Sequence, residues 1–289
     1  MPNLKMALLC LLLLPLTAGA DQNQLIWQWQ HHFSESDKTR HQRWITQVSN
    51  ASVRLFGTLP FPVHLEIFSS EQHSDKDMGE PVPWARTLRQ PERQALQLYL
   101  DNRYSDRQFL HDWSVPHEFS HLIFPYLGEQ DSWLAEGFAS YLQFMVMNEM
   151  GTIDQYTHQQ RLIARIQKAE KEYYQHPAVR RFDSSRPPSF VDIAPLLKAQ
   201  GKHPTMYWGG AVFFLQLDAK LQKQGGLRPV LKRYLKCCRL QTRSTQEVLA
   251  TLDKLSFSRL FSETYQTFGT RAGFPEYRKA FKTVFAIRS

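Results

Sequence analysis

The chain has 289 residues, of which 42% are hydrophobic, 13% aromatic and 21% charged, and it carries a formal net charge of +8. That aromatic content and modest charge imbalance exclude fibrous and disordered classes, and the length allows one large domain or two modest ones. The excess of Lys and Arg would suit polyanions, but the basic residues are scattered and no aromatic platform is interleaved with them, which argues against a nucleic-acid partner.

Lys5 precedes the apolar run Met6 to Leu14, followed by Pro15 and the small residues Ala18, Gly19 and Ala20. This is the pattern of a secretory leader over residues 1–20, cleaved after Ala20, and it predicts an exported protein, periplasmic or secreted. The run is shorter than the roughly 20 apolar residues that span a bilayer, and no later stretch reaches that length, so no stable membrane insertion is expected. Cys10 leaves with the leader. Cys237 and Cys238 are chain neighbours and cannot staple distant segments; they read as two small, unbonded helix residues, with a vicinal or intermolecular disulfide as the alternatives.

From Asp21 to about Gly57 the apolar residues Trp44, Ile45, Val48, Val53 and Phe56 recur at helical spacing, and Pro60 and Pro62 close that pattern. Val63–Phe68 and Ala95–Leu100 alternate as strands do, with a polar, Pro-containing segment between them. After Asp101 the periodicity is helical almost to the end: about 105–124, 132–150, 154–174, 189–199, 205–224, 227–238, 245–255 and two short closing segments. Gly128, Gly151, Pro187-Pro188, Gly201 and Gly225-Gly226 fall between these segments. The expectation is an α+β, mostly helical unit over 21–289, with a mixed front section at 21–104 and a helical section at 105–289.

The chemistry is concentrated in His117-Glu118-Phe119-Ser120-His121. Residues i and i+4 of an α-helix share a face, so both imidazoles can reach one metal ion while Glu118 points towards the place where a reacting water would sit. A third donor follows in Trp133-Leu134-Ala135-Glu136-Gly137-Phe138-Ala139. Asp131 or Ser132 can cap that second helix, and Pro125 and Gly128 stop the first, so a tight turn can bring Glu136 back against the histidine pair. Two imidazoles and one carboxylate leave a fourth position open, as in catalytic rather than structural zinc sites.

These two motifs resemble those of the gluzincin metallopeptidases, the group that includes thermolysin and the aminopeptidase-N and glycyl-aminopeptidase families. Tyr207-Trp208-Gly209-Gly210-Ala211 is similar to the Tyr-x-x-Gly-Ala helix of the latter two. The resemblance extends from about Asp112 to Asp218 and implies a thermolysin-like zincin domain, one Zn2+ per chain held by His117, His121 and Glu136, Glu118 as general base, Tyr207 as oxyanion donor, and a peptide or protein substrate. His203 is a rival oxyanion donor. Fourteen residues separate His121 from Glu136, which places the chain with compact members of the group. No Gly-x-Met-x-Asn strand motif lies upstream, and no acidic residue near Ser140 is available to orient the histidines.

The strand Gln97–Leu100 is expected to be the sheet edge that receives an extended peptide. His31, His32 and His111 have no partner spacing. Two rival functions keep the same residues without the reaction: a zinc-containing exported binding protein, and an adapter that uses its basic charge on anionic envelope polymers.

Overall fold

The computed structural model describes residues 22–72, 79–90, 92–181 and 187–286, so the expected leader and Cys10 lie outside the described residues. The front section opens with strand β1 (Leu25–Trp29), followed by the long helix α1 (Glu35–Phe56), β2 (Val63–Ser69), β3 (Trp84–Arg89) and β4 (Gln94–Leu100). Two of these strands correct the sequence reading. Leu25–Trp29 was expected to be helical, but Leu25, Trp27 and Trp29 alternate with Ile26 and Gln28, a period that suits β1 pairing in parallel with β2, from Leu25 against Val63 to Trp29 against Ile67. The helix starts only where Ser34 caps it: the Ser34 hydroxyl oxygen accepts from the Asp37 N–H at 3.1 Å, and Glu35 and Asp37 lie in the first turn.

The segment read as a polar connection contains β3, antiparallel to β4 from Trp84 opposite Tyr99 to Arg89 opposite Gln94. An edge strand does not have to bury a whole face, and every residue of β3 keeps some exposure, which is why its alternation is weak in the sequence. The sheet order is β1-β2-β4-β3. Gln97–Leu100 therefore lies in an interior strand, paired on both sides, and is not the edge expected from sequence; the free edges belong to β1 and β3.

The helix expected over 105–124 is two helices, α2 (Asp106–His111) and α3 (Ser114–His121). Asp112 is extended at ψ 134°, and its Oδ1 accepts the Ser114 N–H at 2.8 Å, so the chain turns and restarts. The remaining helices are α4 (Ser132–Glu149), α5 (Gln155–Gln175), the short α6 (Pro177–Arg180), α7 (Phe190–Ala199), α8 (His203–Lys220), α9 (Leu227–Cys237), α10 (Thr245–Leu255), α11 (Leu260–Thr270) and α12 (Arg278–Ala286). This mostly helical α+β architecture is the one expected. No helix among the described residues is long and apolar enough to cross a membrane.

α4 is the centre of the packing: it is buried nearly all round and lies against α1, α3, α5 and α8. Its crossing with α8 is backbone on backbone. A Cβ placed on Gly137 would lie 2.2 Å from the Gly210 carbonyl carbon, and one on Gly210 would lie 2.1 Å from the Trp133 carbonyl oxygen. Trp133 seals one end of this contact, stacked on Phe268 at 5.6 Å and on Tyr265 at 5.9 Å.

Cys237 and Cys238 are joined as a vicinal disulfide, the alternative rather than the first reading. α9 ends at Cys237, and Cys238 has left the helical region at φ −131°, ψ −13°. Successive side chains on a continuing helix would diverge, so the helix end is what permits the bond.

Candidate metal centre

α3 presents His117 and His121 one above the other, 4.8 Å apart between ring centroids, with both side chains almost fully buried. After α3 the chain reverses through Leu122 to Asp131, with Gly128 left-handed at φ 85°, and enters α4. That turn returns Glu136 to the histidines. Glu136 Oε2 lies 3.2 Å from His117 Nε2 and 3.4 Å from His121 Nε2, and one donor atom from each of the three side chains lies within 4.8 Å of the others. Asp131 stands at the N-cap position of α4, but its carboxylate does not cap the helix. It accepts instead from Thr245 Oγ1 and the Tyr265 hydroxyl, both at 2.6 Å, and so ties α10 and α11 to the start of α4.

The donor set fits zinc: two imidazole nitrogens and one carboxylate oxygen, converging from two rigid helices. The tautomer fits as well. Gln143 Oε1 lies 2.8 Å from His117 Nδ1, so an Nδ1–H donated to that oxygen would leave Nε2, the nitrogen that faces Glu136, as the metal-binding atom. Burial opposes ionisation of Glu136, yet the two imidazoles hold its carboxyl well below the usual carboxylate range. Burial also works against a charged His117, but the Glu136 carboxylate outweighs it and raises that pKa; for His121 burial prevails, with Arg89 and His117 adding to it, and the pKa falls. Glu136 thus offers a full negative charge beside an imidazole that gives up its proton readily, which suits exchange of protons for a divalent cation.

Glu118 is half-buried on the side of α3 that faces the sheet edge. The Thr87 hydroxyl, on β3, lies 2.9 Å from the Glu118 main-chain oxygen and also reaches its carboxylate Oε2. Tyr207, in the first turns of α8, lies with its ring nearly parallel to His117 at 5.9 Å. Burial, and then the carboxylates of Glu136 and Glu118, push the Tyr207 phenol well above its ordinary pKa, so the hydroxyl keeps its proton. His203, one turn earlier, is exposed, with its ring 6.1 Å from that of Tyr207. His31 accepts the Ser69 N–H and His111 bonds the Arg107 carbonyl, neither at the cluster.

All five site residues expected from sequence are therefore brought together, and three others join them. Gln143 lies seven residues after Glu136, two helical turns along the same face, so the spacing carried a signal that a search for an acidic residue near Ser140 passes over. Thr87 and Arg89 belong to the unrecognised strand; Arg89 Nη1 lies 3.3 Å from the His121 carbonyl oxygen. Replacing Gln143 with Leu should lower zinc affinity by about 10- to 100-fold, read by competition with a chromophoric chelator. Unchanged affinity would show that the His117–Gln143 contact does not tune the site.

No family model and no curated protein sequence matches this chain. Among solved structures it is similar to an aminopeptidase N family protein from Idiomarina loihiensis, with 16% identity and a TM-score of 0.51, over 89% of this chain and 46% of that one. It is also similar to an M1 zinc metallopeptidase from Deinococcus radiodurans, with 18% identity and a TM-score of 0.45, over 86% of this chain and 49% of that one. The chain thus spans about half the length of these structures. The first likeness supports the fold, an α+β zincin-like architecture.

Proposed function

We propose that this protein is an exported zinc metallopeptidase that hydrolyses peptide bonds with Glu118 as general base. The observation that carries the reading is the convergence of His117, His121 and Glu136 on one point, with Glu118 held next to it at a free sheet edge by Thr87. Zinc bound by these three side chains would supply Lewis acidity, acidifying water and polarising a carbonyl. Glu118 Oε2 takes the proton of the attacking water and delivers it to the leaving amine. Thr87 fixes where that carboxylate points. The Tyr207 hydroxyl, protonated by virtue of its surroundings, donates to the oxygen on which negative charge develops. His117 is oriented by Gln143.

The substrate edge in this reading is β3. One side of that strand pairs with β4 and the other is free, while α3 meets the strand through the Thr87 side chain, so an extended peptide added at the free side would run past Glu118 and the cluster. Export rests on the leader pattern at 1–20, and a disulfide at Cys237–Cys238 suits an oxidising compartment.

The reading is tested by incubating the zinc-supplemented protein with a mixed peptide library and following cleavage by mass spectrometry. Expected is cleavage that a chelator abolishes and zinc restores. Peptides bound but left intact under all conditions would hand the role to the binding-protein alternative, and zinc-independent cleavage would point to another centre.

A further inference from the structure

A recess of about 260 Å³ opens beside the metal cluster, between the end of β3 and the segment that follows α9. Among the described residues three arginines line it, Arg89, Arg239 and Arg243, and no Asp or Glu does. We propose that this recess is a subsite that binds a carboxylate of the substrate peptide; the proposal rests on the peptidase reading above.

The three cations differ in what the fold already asks of them. Arg239 is buried and partly spent on structure: its Nε donates to the Leu122 carbonyl at 3.0 Å, one Nη donates to Gln94 Oε1 at 3.1 Å, and its plane covers Phe61 at 5.1 Å. None of these partners is an anion. Burial lowers its pKa to about 10, and Arg89 nearby adds to that fall. Arg89 has less to hold it. Among the described residues its Nε is buried with no hydrogen-bond partner, its Nη1 reaches only His121, and no carboxylate lies within ion-pair distance, although Glu136 and Glu118 act on its charge from farther off. The guanidinium of Arg243 makes no hydrogen bond or ion pair within the described residues.

Holding two guanidinium groups side by side in this half-buried place costs free energy, which the more distant carboxylates of Glu136 and Glu118 offset for Arg89 only in part, since burial still lowers its pKa. A planar carboxylate matches the guanidinium fork and would neutralise both. The recess is small beside the roughly 300–1,000 Å³ of drug-sized ligand sites, which suits one side chain or a chain end. Tyr126 and Leu240 are large apolar residues left exposed on its lining, surface that a bound peptide would cover. Arg89 touches both the recess and His121, which sets the recess one side chain away from the cluster.

Two carboxylates occur on peptides, an acidic side chain and the chain terminus, and a binding experiment separates them. Labelled neutral peptides carrying Glu or Gln at each position in turn, each as free acid and as amide, are titrated by fluorescence anisotropy against the zinc-loaded Glu118→Gln protein, which does not consume them. Binding at least about tenfold tighter for Glu over Gln at one position, or for free acid over amide, is expected, and identifies the source. The preference should shrink to about twofold or less in Arg243→Gln and in Arg89→Gln and survive in part in Arg89→Lys. Arg243 lies outside the core, so its variant remains informative if Arg89→Gln fails to fold. Peptides bound without regard to charge would overturn the subsite, and so would cleavage of neutral peptides by the parent protein with no carboxylate preference, which leaves the peptidase reading standing. Peptides neither bound nor cleaved would overturn both.

Discussion

Glu118→Gln should retain as much zinc as the parent protein and hydrolyse peptides at least about 100-fold more slowly, the usual scale for loss of a positioned general base. Glutamine has nearly the same volume and keeps an oxygen for Thr87 to meet, so α3, the two histidines and the approach to β3 should be undisturbed. What it loses is the ability to accept a proton from water and return it to the leaving amine. Metal content by elemental analysis and kcat/KM on one cleaved peptide decide the matter together. Full metal with full activity would remove Glu118 from the mechanism, whereas loss of metal would mean that Glu118 shapes the binding site rather than the reaction.

The second large effect is structural. Gly210→Ala should destabilise the protein by roughly 3 kcal/mol or more, because the new methyl group would meet main-chain atoms rather than a side chain that can rotate away. Its Cβ would lie 2.1 Å from the Trp133 carbonyl oxygen and 3.1 Å from Gly137 Cα. Helix propensity alone predicts the opposite sign, a gain of about 1 kcal/mol for Ala over Gly, so the direction of the change separates the two causes. Thermal unfolding should show a melting temperature lowered by several degrees, on the scale of about 2–4 °C per kcal/mol for a domain of this size. A raised melting temperature would mean that α4 and α8 do not touch at this point. Parting these helices would also move Glu136, which precedes Gly137 on α4, away from Tyr207 on α8.

The site itself was legible in the sequence because its signals are short-range. His117 and His121 declare themselves by an i, i+4 spacing, Glu136 by a second helix beginning one short turn later, and Tyr207 by the resemblance of its segment to a Tyr-x-x-Gly-Ala helix. Each signal is local, and each reports a contact the fold needs. What the sequence hid depends on partners far along the chain. β1 looked like the start of a helix because its five residues also satisfy an apolar helical window, and only the ladder to β2 distinguishes the two. β3 lacks the alternation of a buried strand because it is an edge, and with it Thr87 and Arg89 were missed and the substrate edge was assigned to β4. Gln143 was passed over because an amide was not expected in a role more familiar from carboxylates, although its carbonyl oxygen accepts equally well from a histidine N–H. The break at Asp112 turns on one side-chain hydrogen bond to the Ser114 N–H, and the pairing of Cys237 with Cys238 on where α9 ends.

The central claim is that His117, His121 and Glu136 act as one three-donor zinc site, and zinc content per chain tests it most directly. Residues 21–289 and the same chain carrying Glu136→Ala would be purified side by side, exposed to zinc, freed of loosely held metal and analysed for the element. The account predicts about one zinc per parent chain and a sharp loss in the variant, since two imidazoles alone make a much weaker site. A parent chain that holds no zinc, or a variant that holds as much as the parent, would contradict it.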